Sequence, residues 1–304
     1  MTENKIKLLV LSGPTGSGKS ELAVRLAERI DGEIVNADSM QVYRGMDIGT
    51  AKPPAEPLAR VPHHLLNIVS PDENFTASDF RREAAAAIAD IDRRGRKAIV
   101  VGGTGLYIRA LLEGLVDSPT GDPELRLQCA DEPGEELLRR LFLVDPDTAS
   151  RLHPNDRVRI IRALEVFSQT GRPISAFRSE HAFSGTYYDT LKMAIRVERQ
   201  ELYRRIDCRV EQMLQDGLVD EVRSLLASGY SREFKAMRSI GYKEVAAYLE
   251  GETALDEAVT LIKRDTRRYA KRQMTWFGKE NDIYWLEYPE SFATILEHVI
   301  EFFG

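Results

Sequence analysis

Eight residues near the start of the chain, Gly13-Pro14-Thr15-Gly16-Ser17-Gly18-Lys19-Ser20, limit its fold more than any others. They follow the apolar run Ile6–Leu11 and precede a helical pattern from about Glu21, so a buried strand turns through glycines into a helix. Glycines let the backbone curl until successive N–H groups point inward, and the helix adds its positive N-terminal end. Such a turn binds phosphate. Lys19 can reach a terminal phosphate, and the Ser20 hydroxyl is placed to ligate Mg²⁺. The loop alone leaves open what the phosphate belongs to.

Around that loop the first third alternates strand and helix, the pattern of a parallel sheet covered on both faces. Strands are expected at Ile6–Leu11, Glu33–Asn36 and Lys97–Val101. Helices are expected at Lys19–Ile30 and Ala77–Arg94, with Thr76 or Ser78 as N-cap of the second and Gly95 as its stop, and from about Leu106. A proline-rich loop (Pro53, Pro54, Pro57, Pro62) lies between the second strand and second helix. Ligands of open parallel sheets bind at the carboxyl ends of strands. The phosphate loop, Asp38 and Thr104 should therefore meet in one crevice.

From about Asp117 the texture changes. Asp117–Pro123 reads as a linker and 117–187 as a helical insertion, its most regular helix spanning Asn155–Gln169. Leu191–Val197 reads as a strand returning to the sheet. Helices follow at Gln200–Leu214, Leu218–Ala227, Tyr242–Glu250 and Ala254–Phe277, then a short strand Ile283–Leu286 and a helix near Pro289–Phe303. The expected class is α/β: a P-loop NTPase-like parallel sheet flanked by helices (1–116 and 188–304), with a helical insertion domain and a helical C-terminal part.

A net charge of −6 argues against a protein that coats nucleic acid generally, yet leaves room for a local basic face. No apolar run approaches membrane-spanning length, and Met1-Thr2-Glu3-Asn4-Lys5 lacks a signal peptide's apolar region. Cys129 and Cys208 have no metal-ligand spacing. A cytoplasmic enzyme with no membrane partner is expected.

Asp38 can serve as magnesium partner or general base, or merely cap a turn. The third strand ends in Gly102-Gly103 instead of the metal-binding aspartate of an ATPase, which weakens a hydrolase reading. Thr104 suits a hydrogen bond to a phosphate or leaving-group oxygen and equally the N-cap of the next helix. His63-His64 has no third ligand near it, so ordinary polar contacts are expected. Two basic tracts remain: Arg157, Arg159 and Arg162, and Lys263-Arg264, Arg267-Arg268, Lys271-Arg272 and Lys279 among Tyr269, Trp276 and Phe277, with Asp265 as the one offset on the second helix face. A basic face with aromatics suits a nucleic-acid backbone with a splayed base, and a solvated helix face reads the same way.

The motifs taken together resemble the bacterial tRNA dimethylallyltransferases (tRNA isopentenyltransferases) along nearly the whole chain. The matching blocks are Gly13–Ser20, the long run Asp38–Pro53, Val101–Tyr107, His153–Asp156, Arg162–Val166, Ile240–Glu244 and Thr266–Gln273. The resemblance implies transfer of a dimethylallyl group from dimethylallyl diphosphate to the exocyclic amine of the adenosine 3′ of the anticodon. The phosphate loop then holds the donor's diphosphate with Mg²⁺. It implies further that Asp38 takes the amine's proton, Thr104 contacts the reacting groups, and Arg199 binds the diphosphate. Implied contacts to the tRNA anticodon stem-loop are Asp38, Ser39, Met40 and Gln41; Arg126; Val158, Arg159, Ile160, Ile161 and Arg162; Ser239, Ile240, Gly241, Tyr242, Lys243 and Glu244; and Lys271, Arg272, Gln273, Met274, Thr275, Trp276, Phe277 and Gly278. Gly16, Asn67 and Gly278 stand where the family often has Ala, Asp and a basic residue, and Asn67 is given no catalytic role. A monomer is expected. Prenyl transfer to a free adenine nucleotide is the near alternative, disfavoured by the basic C-terminal tract, and a small-molecule kinase or NTPase is what the phosphate loop alone suggests.

Overall fold

The computed structural model describes residues 5–115, 119–181, 187–289 and 291–304. Residues 1–4, on which the targeting expectation rests, and Asp117 and Ser118 of the expected linker lie outside them. The chain divides into one unit of Met1–Leu112 with Thr186–Gly304 and a second of Glu113–Gly185.

In the first unit, β1 (Lys7–Ser12) leads through the glycine loop into α1 (Lys19–Ile30) and β2 (Gly32–Asn36). Then come α2 (Ala55–Arg60), the two-residue β3 (His63–His64), α3 (Ala77–Arg93), β4 (Lys97–Gly102) and α4 (Gly105–Glu113). The second unit is helical: α5 (Pro123–Gln128), α6 (Gly134–Val144), α7 (Pro146–Ala149), α8 (Arg157–Thr170) and α9 (Ile174–His181). Its core gathers Leu137, Leu141, Ile160, Ala163 and Val166. The chain returns with β5 (Asp189–Ile195), α10 (Arg199–Gln215), α11 (Leu218–Ala227), α12 (Tyr242–Leu249), α13 (Leu255–Phe277), β6 (Tyr284–Leu286) and α14 (Phe292–Phe303).

All strand pairs are parallel, in the order β3-β2-β4-β1-β5-β6. The sheet is P-loop NTPase-like, as expected. Successive side chains of a strand alternate between faces, so a continuous apolar run fills two cores at once. Leu8 and Val10 join Val35, Ala98 and Val100 against Phe80, Ile88 and Val245. Leu9 and Leu11 join Ile34, Ile99 and Val101 against Leu22, Leu26, Ile295 and Val299. Leu9 is wholly buried, and truncating such a residue to Ala typically costs about 2–5 kcal/mol.

Local chemistry sets the ends of the elements. Thr76 caps α3 in a capping box with Asp79, and Gly95, in the left-handed region at φ 73°, turns the chain back into β4. Three elements depart from the sequence reading. The proline-rich loop contains α2, because Pro57 sits in its first turn, where backbone N–H groups lack helical partners in any case. It also contains β3, which pairs Ile34 with His63 and Val35 with His64 at the sheet edge. The returning strand starts at Asp189, two residues before the expected Leu191, pairs with Lys7–Ser12, and ends at Ile195. Among the described residues no helix is long and apolar enough to cross a membrane.

Candidate active site

The phosphate loop is held from two directions. Gly18 has φ 90°, a conformation costly for any residue with a Cβ, and it starts α1. Lys19 Nζ donates to Pro14 O at 3.2 Å. From the far end of the chain, Gln273 in α13 inserts between two glycine-rich turns: its Oε1 accepts from Thr15 N and its Nε2 donates to Gly103 O, both at 2.9 Å. A Cβ on Gly103 would lie 2.1 Å from Gln273 Nε2, so the missing side chain is what admits this strut.

Asp38 lies just beyond the end of β2. Its Oδ1 accepts from Met40 N at 2.8 Å and Gln41 N at 3.4 Å, closing a local turn. Thr104 Oγ1 accepts from Ser39 N at 3.1 Å, while its carbonyl starts α4 through Tyr107 N and Ile108 N. The threonine side chain thus ties the Asp38 turn to the end of β4. Tyr269, in α13, lies beside Thr104 and Gln273, and burial followed by the Asp38 charge pushes its phenol up to about 12. Tyr269 is a neutral hydroxyl beside a carboxylate, a placement its position in the basic tract does not signal.

These groups border a cleft of ≈ 790 Å³ at the carboxyl ends of the strands. Thr15, Lys19, Ser20, Asn36 and Asp38 line its polar part, and Ile48, Leu58, Leu66 and Met213 supply apolar wall. Burial pushes Lys19 down to about 8, opposed by the Asp38 charge and reinforced by the Arg209 charge. Arg209, in α10, lines the cleft and is exposed, and desolvation by the protein around it lowers its pKa. Among the described residues Arg209 has no hydrogen bond or ion pair. Asn36 is 8 % exposed, and its Nδ2 also lacks a partner. A buried donor such as the Asn36 amide costs free energy until something supplies an acceptor.

Arg199 is not in this cleft. Its guanidinium lies over the Tyr203 ring at 5.3 Å, with Nε donating to Tyr203 Oη at 3.2 Å. The cleft's arginine on the same helix is Arg209, nearly three turns further on. Asn67 Oδ1 accepts from Lys52 Nζ, which Asp47 also holds.

Several residues expected to touch nucleic acid are interior. Ile160 and Tyr242 are wholly buried, and Glu244, Gln273 and Phe277 nearly so. Glu244 Oε2 accepts from Gly241 N, inside the start of α12. In the second unit, Arg126 Nε donates to the buried Glu165 at 2.5 Å, and Arg162 reaches the same carboxylate at 3.3 Å. Val158 is 82 % exposed and Arg159 pairs with Asp156. On α13, Asp265 is not the only offset: Lys263 pairs with Glu211 at 2.6 Å and Arg267 with Asp207 at 2.9 Å, both on α10. Lys271 and Arg272 stay exposed. The pair His63-His64 makes polar contacts to Val61 O at 2.8 Å and Glu33 Oε2 at 2.7 Å.

The sequence model of the family described as IPP transferase matches residues 41–280. The chain belongs to that family. It is 81% identical over 300 residues to a tRNA dimethylallyltransferase 1 of Citrifermentans bemidjiense, covering 99% of this chain and 98% of the relative. It is 58% identical to a tRNA dimethylallyltransferase of Geobacter sulfurreducens, with 99% and 98% covered. Among solved structures, the tRNA isopentenylpyrophosphate transferase of Bacillus halodurans superposes with a TM-score of 0.74 at 38% identity, covering 98% of this chain and 97% of that one. A eukaryotic dimethylallyltransferase, described as acting on tRNA, superposes at 0.80 with 33% identity, covering 93% and 74%.

Proposed function

We propose that this IPP transferase moves a dimethylallyl group from dimethylallyl diphosphate to the exocyclic amine of the adenosine 3′ of the anticodon in tRNA. The observation that carries the reading is the meeting of cationic and N–H donors (Lys19, Arg209, Asn36) with the Asp38 carboxylate in one cleft that also has an apolar wall. The relatives' names support the tRNA acceptor.

The allylic C–O bond breaks with its electron pair passing to diphosphate, the amine nitrogen forms the new C–N bond, and its proton goes to Asp38. The phosphate-loop N–H groups, Lys19 and Arg209 stabilise the charge growing on the leaving group. Asp38 is suited as base because only one of its oxygens is engaged by the backbone turn. Thr104 holds the turn that aims it. Diphosphate release leaves the chemistry complete.

The donor set fits Mg²⁺: the Ser20 hydroxyl, Asp38 and the Asn36 amide are hard oxygen ligands in one cleft. Mg²⁺ is commonly held by one or two protein oxygens plus substrate phosphates, and among the described residues no cluster of three His, Cys, Asp or Glu builds a complete cage. Bound there, Mg²⁺ supplies charge neutralisation of the diphosphate. Acceptor tRNA is met by the exposed Lys271 and Arg272 in the first unit and by Val158 and Arg159 in the second. A base stacked in the anticodon loop has to be extruded to enter the cleft.

Incubation with labelled dimethylallyl diphosphate, Mg²⁺ and unmodified tRNA with adenosine at that position is expected to label the tRNA. Folded protein that transfers no label contradicts the proposal, and preference for AMP over tRNA replaces the acceptor.

A further inference from the structure

Part of the cleft wall is a loop. Asp47, Ile48, Thr50, Ala51 and Lys52 all line the cleft, and none lies in a helix or strand. Loops hold a shape only where their backbone groups are engaged. Here one carboxylate from a distant helix engages three in succession. Glu221, in α11, accepts from Asp47 N at 2.8 Å, Ile48 N at 2.7 Å and Gly49 N at 3.1 Å. Its Oε1 also accepts the Tyr242 hydroxyl of α12 at 2.5 Å.

Tyr242 closes the arrangement from behind. It is wholly buried, and a Cβ on Gly49 would come within 2.5 Å of its ring, so the loop rests directly on the phenol. Burial and then the Glu221 charge push the phenol far above its ordinary pKa, which keeps it a donor. On its other side the loop reaches the reacting end of the cleft. Gln41 Nε2 donates to Thr50 O at 3.0 Å and Ala51 O at 3.2 Å, and Gln41 belongs to the Asp38 turn. Bonds to a charged carboxylate are the stronger kind, and four converge on this one.

We propose that Glu221 and Tyr242 are positioning residues that fix the Ile48 wall of the cleft and thereby limit the length of allylic chain it accepts. The proposal rests on reading the cleft as the site of an allylic diphosphate. On this proposal the longer chain of a ten-carbon donor presses on Ile48 and its neighbours where a five-carbon chain does not, and the clamp resists their displacement. Glu221 touches no reacting atom, and its effect passes through the backbone of residues 47–49.

The test compares kcat/KM for dimethylallyl diphosphate and geranyl diphosphate at saturating tRNA in wild type, Glu221→Ala, Glu221→Gln and Tyr242→Phe. In Glu221→Ala the preference for the shorter donor is expected to fall about tenfold, the scale of one methylene's discrimination in an apolar pocket. Glu221→Gln, which keeps one accepting oxygen, and Tyr242→Phe should fall between that variant and wild type, with KM for tRNA unchanged. Equal losses on both donors, leaving the ratio unaltered, overturn the proposal. Amide hydrogen exchange on the whole protein gives a second readout independent of turnover. Asp47, Ile48 and Gly49 are expected to exchange faster in Tyr242→Phe and Glu221→Gln, and unchanged protection overturns the clamp. Wild type that uses neither donor while these amides remain protected refutes the reading of the cleft and leaves the clamp standing.

Discussion

The two ends of β2 carry charge in opposite ways. At its start Glu33, 1 % exposed, is surrounded by partners: Arg94 Nη2 at 2.8 Å, Arg96 Nε at 3.3 Å and His64 Nε2 at 2.7 Å. The Arg94 guanidinium, foremost among these, brings Glu33 down to about 2. At its finish Asn36 keeps an unpartnered amide, and Lys19 and Arg209 face the same cleft without a carboxylate closing on either. A network closed by the protein's own groups stabilises the fold and has nothing left to offer a ligand. Charge left open in a cleft stays available to an anionic ligand, and the proposed ligand is a diphosphate.

The largest expected departure is at Asp38. Asp38→Asn should lower kcat by about 10²–10⁴, as for a lost general base, with tRNA affinity and melting temperature unchanged. A rate within twofold of wild type removes Asp38 from the chemistry. The converse variant is Glu33→Ala, expected to cost about 2–3 kcal/mol of stability, since the arginines left behind are half-exposed and can rehydrate. Its kcat at low temperature should match wild type, and loss of activity without loss of stability breaks the comparison. Because the folded pKa of Glu33 lies below the ordinary carboxylate value of 4.5, its contribution is full above about pH 4.5 and is lost as pH falls toward 2. Chemical denaturation across that range should show an acid limb that Glu33→Ala lacks.

The smallest effect is a titration at the open end. Lys19 in the free protein stands near 8, and the proposed diphosphate would bind its charged form and raise it. Donor affinity is therefore full below pH 8 and falls above it by about tenfold per pH unit until the bound form itself titrates. The pH profile of kcat/KM for the donor should break near 8. Lys19→Arg, permanently charged, should abolish that break whatever its rate.

How legible these regions were in the amino-acid sequence follows from the same distinction. Strong local patterns survived: α1 runs over Lys19–Ile30 and α11 over Leu218–Ala227, as their periodicity predicts. The prolines around α2 concealed a helix turn that tolerates them. Tertiary roles hid best. Gln273 sits in a basic tract and looks like part of a nucleic-acid face, yet it shares the buried face of α13 with Ala270, three residues before it, and Phe277, four after it. Arg209 follows Arg204 and Arg205 and reads as one more surface charge, although it adjoins the stripe of Leu202, Ile206 and Val210 that packs inward. Helical phase is the signal that separates both from their neighbours. Glu221 has no comparable local signal, because the amides it holds are more than 170 residues away along the chain.

The central claim is that open charge in the cleft, and not charge already engaged elsewhere on the same helix, receives the diphosphate. Titration calorimetry of Mg²⁺-diphosphate into wild type, Arg209→Ala and Arg199→Ala tests it directly. Arg209→Ala is expected to weaken binding by at least about tenfold, the worth of one charge-assisted contact, with Arg199→Ala within twofold of wild type. Loss of affinity in Arg199→Ala with Arg209→Ala unaffected contradicts the account.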